Sequence, residues 1–170
     1  MVTKLGFILA VLMPLMLFGQ VNEKHVQKIS RYMGIFTSYS DSLIVSLKDS
    51  MDVDDWRDIE VLTRLSDITH EAYLHAHYIS GMLDMLVKLE DKDDRATTIH
   101  RTAFHVKGAI MFMKIANKML VTELKLTNNP SIITMGMNLR KDTEKFSTEL
   151  ETVKRDLEFD YSYHAESYNR

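Results

Sequence analysis

Between Arg95 and Leu126 the apolar residues fall on alternating steps of four and three. Ile99, Ala103, Val106, Ile110, Met113, Asn117, Leu120 and Leu124 mark one line along a helix, with Asn117 its polar member. That spacing is the seam of a rod packed against other rods, since a strand turns its faces over every second residue. A second line lies beside the first. Phe104, Gly108, Met111, Phe112, Ile115 and Met119 also repeat at helical spacing. A bundle core asks one apolar face of each helix, so the second line exceeds what folding alone requires and is a candidate interaction surface. Asn117 costs stability in a seam but fixes register, as polar seam residues do in coiled coils.

The same period recurs along the chain. A first helix is expected over about 22–50, with Val26, Ile29, Met33, Phe36, Ser40, Leu43 and Leu47 in its seam. A second, over about 55–90, carries Leu62, Leu65, Thr69, Ala72, Ala76, Ile79, Leu83 and Leu86. The third covers about 95–126. The fourth, about 130–160, places Ile132, Met135, Leu139, Thr143, Phe146, Leu150, Val153 and Leu157 on one face and charged residues on the other. Only two prolines and six glycines punctuate the sequence, which favours few long helices over many short strands.

The connections are short. The acidic run Asp49 to Asp55 ends the first helix, and Asp52 or Asp54 is expected to cap the second. A helix from Asp55 to Leu126 would be too long for one domain, so a hairpin is placed at Asp91-Lys92-Asp93-Asp94. Asn129 followed by Pro130 reads as a cap and first helical position. The fold expected is all-α, an antiparallel up-down-up-down four-helix bundle in a single domain over 20–170, with rods of about 45 Å. The aromatic tail after Phe159 is expected to be a frayed last turn.

The opening residues point to export. Met1-Val2-Thr3-Lys4 is a short basic segment ahead of the apolar run Leu5 to Phe18, with small Gly19 at the expected cut. The run is short for a span of about 20 residues and fits a cleavable signal peptide over 1–19, leaving no stable membrane span. The expected location is periplasmic or secreted. There is no cysteine, so neither a lipid anchor at the cleavage site nor a disulfide is available, and a core must hold the fold. The formal net charge is −3, with bases and acids interspersed, which argues against nucleic acid as a partner.

Chemistry-bearing patterns are sparse. The acidic run lacks the glycine and terminal glutamate of a calcium-binding EF-hand loop. Glu71 and His75 stand four apart on one helix, but no nucleophile or phosphate-binding glycine loop accompanies them. No catalytic constellation follows, and the chain reads as non-enzymatic. His70, His75 and His77, with Met33 and Met113 from other helices, form an alternative metal site, copper or haem being the groups such ligands take. The leading expectation is an exported helical bundle that binds a protein partner, or a second copy of itself, through the second line of the third helix.

Overall fold

The computed structural model describes residues 21–53 and 55–168, with side chains placed as far as Tyr161. The signal-peptide reading of 1–19 and the expectation that Asp54 acts as a cap lie outside the described residues. Within them the protein is all-helical: α1 (Glu23–Asp52), α2 (Trp56–Lys88), α3 (Lys92–Glu123) and α4 (Pro130–Tyr168), with no strand.

Each helix starts where a side chain satisfies its first free amides. Asn22 accepts from the Lys24 amide at 3.0 Å, and His25 Nδ1 accepts from the Asn22 amide at 3.2 Å, a capping box with histidine in the usual glutamate place. Asp55, rather than Asp52, caps α2 by accepting from the Asp58 amide at 3.3 Å. Asp91 accepts from Asp93 and Asp94 at 2.9 and 3.0 Å, so α3 begins at Lys92, ahead of the expected Arg95. Asn129 accepts from the Ser131 amide at 3.1 Å, with Pro130 first in α4 as the sequence suggests. At the other end of α3 the last turns tighten, Leu126 N–H meeting the Glu123 carbonyl at 2.9 Å, and the helix stops at Glu123.

A four-helix bundle results, with one core. Phe36, Phe146, Ile29, Leu43, Leu62, Leu65, Ile79, Leu83, Leu86, Ile99, Met113 and Leu120 are closed to solvent. Each such large side chain contributes about 1.5–3 kcal/mol on burial. Tyr32, Phe36 and Phe146 pack ring to ring across α1 and α4, with centroids 4.7 to 6.2 Å apart. The closest packing is α1 on α2 and α3 on α4, and the two pairs meet mainly along α2 and α3.

Polar pairs set the level of one helix on another. His25 meets Asp156 at 2.9 Å, Lys28 meets Glu149 at 3.0 Å, and Tyr39 meets Asp142 at 2.9 Å, so numbers fall along α4 as they rise along α1. The same inversion relates α3 to α4: Lys107 to Glu158 at 3.8 Å, Lys114 to Glu151 at 3.1 Å, and Asn117 to Thr143 at 2.7 Å. Asn117 thus finds its partner on α4, and Thr143 beneath it is fully buried.

Both ends of the bundle are tied. Buried Asp58 accepts from the Thr127 hydroxyl and, at 2.8 Å, from Asn129 Nδ2, fixing the α3–α4 loop to the start of α2. At the opposite end the Arg95 guanidinium donates to Asp160 Oδ2 at 2.8 Å and to the Leu86 carbonyl at 2.6 Å. This clamp joins α2, α3 and α4. It overturns the frayed ending expected after Phe159, because Asp160 is buried and α4 runs on to Tyr168. A carboxylate so enclosed needs its cation, and holding both orders the last turns.

The buried line of α3 is also rotated from the expected seam. Thr102, Ala109 and Ala116 are buried, whereas Ala103, Asn117 and Leu124 are only half-buried. Small residues on that line let α3 lie between α2 and α4 and bury a face wider than one seam. No helix among the described residues is long and apolar enough to cross a membrane.

Candidate interaction surface

The second line of α3 faces solvent. Phe104 is 73 % exposed, Met111 64 %, Ile115 47 % and Met119 38 %. Large apolar side chains scattered singly over a surface need no explanation, but four on one helix ridge spanning about four turns form a continuous strip. Gly108 lies on the same ridge and is exposed. A Cβ built there meets nothing within 4 Å, so its lack of a side chain serves no neighbour inside the fold and leaves a notch in the ridge.

Phe112 belongs elsewhere. It is half-buried against the core, its ring centred 5.3 Å from that of His75 and tilted by 47°. The sequence groups Phe112 with the outward line, and the structure turns it sideways into the α2–α3 seam. Eighty degrees of helical rotation separate it from Phe104, enough to move it from the crest to the flank.

The charges that α3 itself places along the ridge are of one sign, while Glu151 and Glu158 of α4 stand beyond Lys114 and Lys107. From Arg95 to Thr122 the chain has no aspartate or glutamate, while Arg101, Lys107, Lys114 and Lys118 are all exposed. Lys107 and Lys114 lean toward Glu158 and Glu151 of α4. Arg101 and Lys118 have no carboxylate within ion-pair distance among the described residues. The charge pattern was readable in the sequence, but its meaning depended on knowing which residues face outward.

The candidate metal ligands differ in burial. His70 and His77 are exposed, the latter stacked on Tyr73 with centroids 6.1 Å apart. His75 is half-buried on Phe112, Met33 is half-buried against the core, and Met113 is closed to solvent within it. The five do not share one environment, and no group of three or more histidines, cysteines or carboxylates among the described residues is placed to hold a metal ion. Burial lowers the His75 imidazole below its usual value. The Glu71 charge opposes that shift and His105 reinforces it. Among the described residues no hydrogen bond joins Glu71 to His75.

One concavity escaped the sequence reading. Between α1 and α4 an open groove of about 950 Å³ is lined by Arg31, Ser38, Tyr39, Ser42, Asn138 and Asp142 among others. Burial first, then the hydrogen bond to Asp142 and its charge, hold the Tyr39 phenol above its ordinary value. It therefore remains a protonated donor. The polar residues lining the groove do not fall on the apolar seams, so only the placing of α1 beside α4 reveals it.

The fold and surface define a class: an all-helical bundle with a cationic, apolar ridge on an outer helix. No family model, no curated protein and no solved structure matches the chain.

Proposed function

We propose that this chain is an exported, non-enzymatic helical bundle that acts by binding another polypeptide, or a second copy of itself, through the outer ridge of α3. The observation that carries the reading is the exposure of Phe104, Met111, Ile115 and Met119 in one strip, with Gly108 open between them. Leaving such side chains in water sacrifices roughly 25 cal/mol for every Å² that a partner would cover. The antiparallel up-down-up-down order is part of the proposal, and the inverse numbering of the polar pairs along α1, α3 and α4 supports it. So is export, on the strength of the signal-like opening residues. The sides of the bundle adjoining the ridge are held by the core and the end clamps, so α3 presents a preformed surface.

The test is native mass spectrometry of the protein from its own cell envelope, beside a Phe104→Asp/Met111→Asp variant. The parent is expected as a complex or a homo-oligomer, and the variant as a monomer with unchanged helical circular dichroism. A parent that is a bare monomer, or a variant that associates as the parent does, would overturn the proposal. Phe112 is unsuitable for this purpose because its substitution disturbs the core.

A further inference from the structure

We infer that the occupant of the α3 ridge is an amphipathic helix of another protein whose apolar seam is flanked by aspartates and glutamates. This rests on the reading of the ridge as an interface and adds the chemistry of the partner. The chain as a whole is acidic, yet the segment from Arg95 to Thr122 has no acid at all. By helical spacing Arg101 and Lys118 stand on opposite sides of the line through Phe104, Met111 and Ile115. An apolar strip edged by cations on both sides is complementary to an apolar strip edged by carboxylates. Gly108 near its middle admits a side chain or backbone at close range.

The same charges argue against the other occupants. Two copies meeting ridge to ridge would bring the Arg101 and Lys118 cations of one copy against the cations of the other, with no acid between Arg95 and Thr122 to relieve them. A flat anionic lipid surface would meet more than the ridge. Glu151 and Glu158 of α4, with side chains 44 % and 53 % exposed, flank it beside Lys114 and Lys107 and would be pressed toward the headgroups.

The experiment places photo-reactive p-benzoylphenylalanine at Met111 of the full chain in the cells that make it, and sequences whatever is captured on irradiation by mass spectrometry. The expected adduct is a segment of another protein with apolar residues at steps of three and four and a clear excess of acidic residues beside them. Arg101→Glu together with Lys118→Glu should lower its yield by about tenfold, while helical circular dichroism stays that of the parent. Raising the salt in a lysate of the unsubstituted-charge protein should lower the yield as well, a readout independent of those two variants. A basic or neutral segment, a second copy of this chain, or lipid would overturn the acidic-helix inference and leave the ridge an interface. No adduct of any kind would overturn the interface reading and this inference together.

Discussion

Replacing Asp160 by alanine should destabilise the protein far more than its place near the chain end suggests. The Asp160 side chain is closed to solvent and its Arg95 partner is only 14 % exposed. Removing one member of a buried pair costs about 3–5 kcal/mol when the other charge is stranded. Arg95 is not wholly stranded, because it keeps its 2.6 Å bond to the Leu86 carbonyl and retains some access to water. The loss should therefore fall at or below the lower end of that range, about 2–3 kcal/mol. For a chain of this size each kcal/mol moves the melting temperature by about 2–4 °C, which gives a drop on the order of 5–10 °C. Urea unfolding followed by far-ultraviolet circular dichroism measures the first quantity and calorimetry the second. Replacing both partners, Arg95→Met with Asp160→Leu, should recover most of the loss, since no charge is then left without its counterion. An Asp160→Ala variant within about 0.5 kcal/mol of the parent would refute the clamp and restore the frayed tail. A double variant less stable than the single one would refute the electrostatic reason given for it.

Other consequences follow from the same geometry. Phe146→Ala should cost about 3–5 kcal/mol in urea unfolding, whereas Phe104→Ala should stay within about 0.5 kcal/mol, because only the first opens a cavity. Asp58→Ala strands the Thr127 hydroxyl and the Asn129 amide, so it should cost about 1–3 kcal/mol and speed hydrogen exchange in the α3–α4 loop. His75 is disfavoured as a cation in the fold, so the unfolded chain binds the extra proton first as pH falls. Its contribution should be whole above the unfolded value of about 6.5 and be lost below it, and His75→Gln should flatten that part of the stability profile in urea midpoints taken from neutral to mildly acid pH.

How far the sequence reaches can be seen residue by residue. The core lines of α2 and α4 are legible because each helix buries one face: Leu62, Leu65, Ala72 and Leu83, and likewise Leu139, Phe146 and Leu157, are buried where the period puts them. Asn129-Pro130 is legible for the same local reason, since a cap and a fixed φ act within one turn. The outward exposure of Phe104, Met111, Ile115 and Met119 was likewise implied by there being two apolar lines on one helix. Phe112 was misplaced because period alone does not say how far a buried face extends when two neighbours cover it.

The sequence by itself determined the all-helical class, the number of helices and the strip on α3, since each depends on spacing along a single rod. Only the tertiary structure decided that Asp160 and Arg95 close one end of the bundle, that Asp58 holds the loop at the other, and that a groove lies between α1 and α4. Those features join residues sixty or more positions apart, and a carboxylate carries no mark in the sequence of the cation or hydroxyl that packing will bring to it.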